Sequence, residues 1–210
     1  MIGSCRNCPL NDLECSLNES KVDATDEKAY CRDFSLCSFE SGFCGLSHSK
    51  NYQLKWIRNS GKTSSDGTGP QSDHTRCNKK DGDYIYIDAS KGKKGDKARL
   101  ESDWLSAGET LCLQFWYHMW GVRMGTLRIL MKTNQFEITV WEEFGNQEDE
   151  WQFGQTPLKP DGQNQYKFVI EAETIDGDEG DIAVDDVRLN EGSCQKIIDN
   201  RKFNQRDVRK

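Results

Sequence analysis

Short runs in which apolar and polar side chains alternate recur along the chain from Phe34 to Cys194. In "AGETLCLQFWYHM", Leu111, Phe115 and Met119 share one parity. Successive side chains of a β-strand point to opposite faces, so a period of two predicts half-buried strands. "DYIYID", "GTLRILMK" and "YKFVIEAE" repeat the pattern, and glycine- and Asx-rich clusters separate the runs. No long stretch shows the 3.6-residue period of an amphipathic helix.

Numerous short strands of this kind predict an antiparallel sandwich. A sheet with one apolar face must bury it against a second layer, and two packed sheets are the usual solution. The 210 residues suffice for one large all-β domain, with or without a small companion. We therefore predict an all-β, two-sheet antiparallel jelly-roll β-sandwich with a small disulfide-stapled N-terminal segment.

The composition changes twice along the chain and so predicts three regions. Residues 1–33 are polar and cysteine-dense, and they cannot form a core without covalent staples. Residues 34–194 form the predicted body. Residues 195–210 carry six basic and two acidic side chains, a local charge of +4, which indicates a basic polar linker or tail.

Charge and cysteine content limit the class of protein. A net charge of −7 disfavours nucleic acid as a partner, because phosphate binding needs a basic surface. No apolar run of about 18 residues predicts a transmembrane segment, and the first residues lack the features of a signal peptide. Nine cysteines are typical of an oxidising compartment. We interpret the chain as a fragment of an extracellular protein, either secreted or the ectodomain of a membrane protein.

Several separated motifs, in order, resemble the MAM domain, a module named for meprins, a neuropilin-type antigen and receptor tyrosine phosphatases. They are "CSFESGFCGL" (37–46), "GPQSDHT" (69–75), "CLQFWYHMWGVRMGTL" (112–127), the Trp141–Trp151 segment and "GDIAVDDVRLNEGSC" (180–194). The resemblance implies an extracellular jelly-roll adhesion module without catalytic activity of its own. It also implies two disulfides, Cys37–Cys44 and Cys112–Cys194.

The N-terminal segment is similar to the C-terminal half of an LDL-receptor class A repeat in "CPLNDLEC" and "DATDEKAYC". The similarity implies calcium binding by the acidic run, and we pair Cys15 with Cys31. Two alternatives stay open: a solvated acidic loop, and a zinc site made of Cys5, Cys8, Cys15 and Cys31. Cys77 could bridge to Cys5 or Cys8, or cross-link two copies. The sequon "NES" predicts N-glycosylation at Asn18.

The acidic run "DEGDIAVDDVRL" suggests a cation site. Adjacent side chains on a strand point to opposite faces, so Asp185 and Asp186 cannot flank one glycosidic bond. At least one of them should be buried, and a buried carboxylate needs a partner. We predict that Glu40 meets Asp186 or Asp185, with Asp73 as a third oxygen donor, around structural Ca²⁺ or another hard cation. The alternatives are a salt bridge to Arg188, Arg58 or Arg76, and a hydrogen-bond network with backbone amides.

The predicted function is recognition without chemistry. The chain has three histidines, and no motif places one of them as an oriented base beside a serine or cysteine nucleophile. We expect an extracellular protein partner, either a second copy or a part of the parent protein. The alternatives are an accessory module of a larger enzyme and a carbohydrate-binding sandwich. The latter would use a stacking platform of tryptophans, drawn from Trp104, Trp116, Trp120, Trp141 and Trp151.

Overall fold

The computed structural model describes residues 36–75, 82–108, 110–160 and 165–194. These residues form ten β-strands and one 3₁₀ turn at Ala89–Lys91. The strands are β1 (Ser47–His48), β2 (Ile57–Ser60), β3 (Asp83–Ile87), β4 (Lys97–Glu101), β5 (Leu111–Met119), β6 (Thr126–Lys132), β7 (Glu137–Phe144), β8 (Gln152–Leu158), β9 (Lys167–Glu173) and β10 (Ile182–Glu191).

The strands form two five-stranded sheets. Sheet I has the order β1-β4-β9-β6-β7, and sheet II has the order β2-β3-β10-β5-β8. Every strand pair in both sheets is antiparallel. The last strand, β10, lies in the centre of sheet II, and Cys37 bridges to its residue Val187. The predicted two-sheet antiparallel β-sandwich is confirmed.

Alternation along the strands decides which side chains fill the interior. On β5, Leu113, Phe115 and Met119 are buried in the core between the sheets, as their shared parity predicts. On β9, Phe168 and Ile170 do the same from sheet I. Burying each such side chain stabilises the fold by about 1.5–3 kcal/mol.

A second, smaller apolar cluster lies on the outer face of sheet II. Tyr84, Tyr86 and Ala183 form it, and Ile57 and Trp151 pack against them. These tyrosines alternate along β3 with the core residues at 85 and 87, so they face away from sheet I. Sheet II therefore has apolar material on both faces, which agrees with the mixed parity of the acidic run.

Two disulfides fasten the described body. One joins Cys37 to Cys44, and the other joins Cys112 of β5 to Cys194 after β10. Both pairings are those that the motif resemblance implies. The N-terminal segment (residues 1–33, with Cys5, Cys8, Cys15, Cys31 and the sequon at Asn18), together with Cys77 and residues 195–210, lies outside the described residues.

Candidate functional site: a buried carboxylate cluster and two contrasting outer faces

A β-bulge in β10 shapes the acidic site. The pairing of β10 with β5 shifts register between Asp185 and Arg188, and Asp186 has a φ of +47°. A bulge adds an unpaired residue and redirects a side chain. Both neighbouring carboxylates consequently hydrogen-bond to one residue, His74. The prediction that Asp185 and Asp186 face opposite sides is therefore wrong, because strict alternation ends at the bulge.

Asp185 is the most enclosed member of the cluster. Its Oδ2 accepts a hydrogen bond from the His74 amide at 3.1 Å, and its Oδ1 accepts one from the Asp186 amide at 2.7 Å. The side chain of Asp73, only 1% exposed, lies beside it and shares a hydrogen bond with it. Burial, followed by the negative charge of Asp186 and the contact with Asp73, raises the pKa of Asp185 well above its usual value.

Asp186 binds the loop that crosses this face. Its Oδ2 lies 2.6 Å from Nδ1 of His74 and accepts a hydrogen bond from the Thr75 hydroxyl. Its Oδ1 is buried and has no hydrogen-bond partner among the described residues. The His74 ring stacks on Trp116 at a centroid distance of 3.8 Å. The loop is also held by Trp151, whose Nε1 donates to the Ser72 carbonyl at 3.1 Å.

The donor chemistry of the cluster fits a hard cation. Asp73, Asp185 and Asp186 bring carboxylate oxygens into one buried place, which Ca²⁺ prefers. A buried oxygen of Asp186 without a hydrogen bond is costly unless it gains a partner. Within the described ranges, however, no group of three or more His, Cys, Asp or Glu side chains is arranged to hold a metal ion. The residues thus supply suitable ligands but not a closed coordination shell.

The fourth predicted ligand, Glu40, has hydrogen bonds on the β2–β3 side of sheet II. Its Oε1 accepts from the Asp83 amide at 3.3 Å, and its carbonyl accepts from Arg58 at 2.9 Å. Arg58 also forms a salt bridge with Asp83. The backbone-amide network that sequence reasoning left as an alternative is present at Asp185. His74 was missed as a member of the site, although the motif "GPQSDHT" contains it.

The outer face of sheet I carries a network of ion pairs. Five basic and five acidic side chains interlock across its strands: Lys97, Arg99, Arg128, Lys132 and Lys167 with Glu101, Glu137, Glu142, Glu171 and Glu173. At the centre, Glu171 is 1% exposed and forms ion pairs with Lys97, Arg99 and Arg128. The face as a whole is therefore neutral and internally paired.

The pKa shifts on this face follow from the pairing. Burial alone would raise the pKa of Glu101, but hydrogen bonds from Lys132 and Ser49 outweigh it and lower that pKa. For Glu173 the desolvation is likewise outweighed, and hydrogen bonds from Arg128 and Lys97 lower its pKa. Both carboxylates are thus stabilised in the charged form.

The tryptophans weighed as a sugar platform have mostly structural places. Trp141 packs edge-on against Phe115 in the core, and Trp116 lies under His74. Trp104 is 40% exposed, and its ring is 5.1 Å from the Lys167 ammonium. Of the five tryptophans considered, it is the exposed one, so they do not form a continuous stacking surface.

The fold and its staples define the class, a disulfide-fastened jelly-roll module with a charged face and a loop-covered face. A protein-family model described as "MAM domain, meprin/A5/mu" matches residues 37–195. The chain belongs to the MAM domain family. This match begins at Cys37 and gives no support to the interpretation of residues 1–33 as an LDL-receptor class A-like segment.

Similar proteins contain this module within much longer chains. Neuropilin-1 of Homo sapiens is 34% identical over 195 residues, covering 87% of this chain and 20% of that protein. Neuropilin-1 of Xenopus laevis is 37% identical over 148 residues, covering 69% of this chain and 15% of that protein. MAM domain-containing glycosylphosphatidylinositol anchor protein 1 of Homo sapiens is 31% identical over 170 residues, covering 76% and 17% respectively.

Solved structures share the fold at low sequence identity. The K1 cleaved adhesin domain of Lys-gingipain from Porphyromonas gingivalis W83 has a TM-score of 0.52 and 15% identity, covering 76% of this chain and 98% of that one. The CBM22-1-GH10 modules of Clostridium thermocellum xylanase 10B, complexed with xylohexaose, have a TM-score of 0.51 and 12% identity, covering 78% and 29%. These likenesses concern the fold alone.

No helix in the described residues is long and apolar enough to cross a membrane.

Proposed function

We propose that this chain is a non-catalytic extracellular recognition module that mediates protein–protein contact, with a second copy or with a neighbouring part of its own parent protein. Membership of the MAM family is the observation that carries the proposal. One relative is by name a glycosylphosphatidylinositol-anchored protein, and such anchors belong to proteins with extracellular contexts. Two disulfides in the body fit the same oxidising compartment.

The histidine contacts support a role without chemistry. Nε2 of His48 bonds the Trp56 carbonyl at 2.8 Å, and Nε2 of His118 lies 3.2 Å from Asp149. His74 bonds Asp186 and stacks on an indole. Each of these contacts fastens one element to another, whereas nucleophilic catalysis needs a base beside a serine or cysteine.

The ion-pair face of sheet I supports recognition of a protein surface. Its side chains are held in place by mutual pairing, so a partner need not immobilise them on binding. Alternating charges reject partners whose pattern does not match, which supplies specificity more than affinity.

Carbohydrate binding is the second candidate, and one observation favours it. The exposed ring of Trp104 and the ring of Tyr52 both lie against basic side chains of the sheet I face, Lys167 and Arg99 respectively. Aromatic rings on a sandwich face can stack on sugars. Binding on a glycan array that is lost in Trp104→Ala would favour this candidate, whereas an array without specific binding would remove it.

We further propose that the cluster of Asp73, Asp185 and Asp186 holds Ca²⁺ in a structural role. A bound Ca²⁺ would neutralise negative charge on the three neighbouring carboxylates. The protein's part is to position the carboxylates through the bulge and the His74 loop. Asp186 Oδ1, which is buried and has no hydrogen-bond partner within the described part of the chain, supports this proposal.

The main proposal is tested by sedimentation of the glycosylated full chain over a range of concentrations, together with bead aggregation by the parent ectodomain. Concentration-dependent association and bead clustering are the expected results. A strictly monomeric chain with no clustering would remove the homophilic form and leave a different protein partner.

A further inference from the structure

Two apolar side chains stand out by their exposure. Val122 is 77% exposed and Phe144 is 71% exposed, whereas the next large hydrophobic residue of the described chain, Ile138, is 45% exposed. Single exposed hydrophobic residues are common on protein surfaces, but adjacent ones on ordered segments often mark contact sites.

These two residues lie on neighbouring segments at one end of the sandwich. The Gly145 amide donates to the Gly125 carbonyl at 3.0 Å, and the Gln147 amide donates to the Met119 carbonyl at 2.7 Å. The Asn146 side chain also accepts from the Gly121 amide at 3.3 Å. The segment that carries Val122 and the turn that follows Phe144 are therefore fixed to each other before any partner binds. We call Val122 and residues 142–150 the Phe144 corner.

The Phe144 corner is acidic. Residues 142–150, "EEFGNQEDE", contain five carboxylates and no basic residue. Glu148, Asp149 and Glu150 are exposed. Asp149 contacts His118. Glu142 is paired with Arg128, so the charge that a partner would meet comes mainly from the exposed acids at 148–150. Exposed apolar side chains beside these acids suit a partner segment that is basic and carries apolar side chains of its own.

The chain contains such a segment. Residues 195–210, "QKIIDNRKFNQRDVRK", carry a charge of +4 together with Ile197, Ile198 and Phe203. This segment follows Cys194, which the disulfide holds beside Cys112. Cys112 and Met119 lie toward opposite ends of β5, roughly 24 Å apart at about 3.4 Å per residue. Cys194, after which the basic segment begins, thus lies at the end remote from the Phe144 corner.

We propose that the Phe144 corner is the docking site for the basic segment 195–210 of a second copy, so that copies associate head to tail. This inference rests on the proposed recognition function and specifies its homophilic surface. A head-to-tail contact uses two different surfaces, and a pair of copies therefore keeps one free corner and one free basic segment. Association should weaken as salt rises, because part of the attraction is between opposite charges.

The first test compares self-association of full-length variants by sedimentation velocity. The corner variant, Val122→Ser with Phe144→Ser, and the segment variant, Arg201→Glu with Lys202→Glu, should each weaken association by about tenfold or more. Phe136→Ser is the matched control. Phe136 is an exposed phenylalanine in the turn that connects β6 to β7, at the other end of β7 from Phe144, and this variant should associate like the unmodified chain. Equal thermal stability of all variants would show that folding is unaffected.

The second test mixes the two weakened proteins. The corner variant retains an intact basic segment, and the segment variant retains an intact corner, so the mixture should form a two-chain complex that grows no further. A charge exchange gives a further check. A variant with Glu148→Lys and Glu150→Lys has a basic corner, so it should bind poorly to the unmodified basic segment and bind again when it is mixed with the segment variant, whose segment is more acidic.

The outcomes separate the two proposals. If the unmodified chain associates but both variants associate equally well, or if the mixture stays monomeric, the docking site is wrong while the homophilic function stands. If the unmodified chain is monomeric at every concentration and salt, the homophilic function and the docking site fail together.

Discussion

The two outer faces of the sandwich bury charge in opposite ways. On sheet I, Glu171 is surrounded by Lys97, Arg99 and Arg128, so each buried acid has basic partners. On sheet II, Asp185 is surrounded by other acids, Asp73 and Asp186, under a loop. The first arrangement is neutralised by basic side chains, whereas the second places acids together and should respond to a proton or a cation. The same fold thus holds one face that is complete by itself and one that depends on solution conditions.

The two sheets also differ in covalent cross-linking, and we expect removal of the disulfide to have the largest effect on the free energy of unfolding. Sheet II is stapled through Cys112–Cys194, with a sequence separation of 82 residues, whereas sheet I has no disulfide among its described strands. On the chain-entropy model, replacing both cysteines by alanine should cost about 4–5 kcal/mol in free energy of unfolding. Urea denaturation measures this. Hydrogen exchange should show the loss of protection first in β5 and β10, and earlier opening of sheet I would contradict the comparison.

Breaking the self-neutralised face should cost somewhat less. Glu171→Ala leaves three basic side chains without their shared carboxylate, although Arg99 keeps Glu137 and Arg128 keeps Glu173. Removing one partner from a buried ion pair typically costs about 3–5 kcal/mol, and the remaining pairs place this variant near 3 kcal/mol. Glu171→Gln is the milder control. A loss below about 0.5 kcal/mol would mean that the network contributes no more than surface pairs do.

Calcium should distinguish the faces directly. If the sheet II carboxylates bind Ca²⁺, the ion at a hundred times its Kd should stabilise the fold by about 2.7 kcal/mol relative to chelator. The effect should vanish in Asp185→Asn and persist in Glu171→Gln, which changes only the other face. Thermal melts of the three proteins with calcium and with chelator provide the measurement. An equal Tm of the unmodified chain in both conditions would contradict the proposal that the cluster binds Ca²⁺.

The faces should also respond to pH with opposite signs, which is the smallest of the expected effects. Asp181, just before β10, is buried, and its Oδ1 accepts a hydrogen bond from the Ala89 amide; burial raises its pKa to about 6. Because the folded state then holds a proton that the unfolded state releases near pH 4, stability should fall as the pH rises from about 4 to 6. The fall approaches ~1.4 kcal/mol per pH unit at most.

On sheet I the sign is reversed. The lowered pKa values of Glu101 and Glu173 mean that their contribution is present above the unfolded value and is lost as the pH falls below it. Comparing Asp181→Asn with the unmodified chain isolates the contribution of Asp181, since the two proteins differ only in that carboxyl group. An unchanged slope between pH 4 and 6 in Asp181→Asn would show that Asp181 is not the titrating group.

Much of the architecture could be predicted from the sequence because it depends on local alternation. The parity of Leu113, Phe115 and Met119 requires only that β5 be a strand with one buried face. The family assignment, and with it the pairing of the four body cysteines, followed from motifs that are contiguous in the chain. The alternation and the motifs involve residues close in sequence, so no knowledge of strand neighbours was needed. The Cys112–Cys194 pairing, across 82 residues, came only through the family resemblance.

The candidate site was predicted only in part. Asp73, Asp185 and Asp186 were named, and the structure brings them together, but His74 was not included. Glu40 was assigned to the same site; its hydrogen bonds to Asp83 and Arg58 lie on the β2–β3 side, and its membership of the site stays a prediction. The calcium ion, the glycan at Asn18 and the cysteines before residue 36 stay predictions.

The sequence by itself determined the strands, the faces that fill the core and the family, because alternation and motif order are properties of the chain. Only the tertiary structure decided where the charges meet. The bulge at Asp186 arises where β10 leaves its pairing with β5 and bridges to Cys37 instead. Likewise, Glu171 meets Arg99 and Arg128 because the registers of β4, β9 and β6 align them. Strand register joins residues distant in sequence, and their pairing energy depends on burial that only the assembled sheets create.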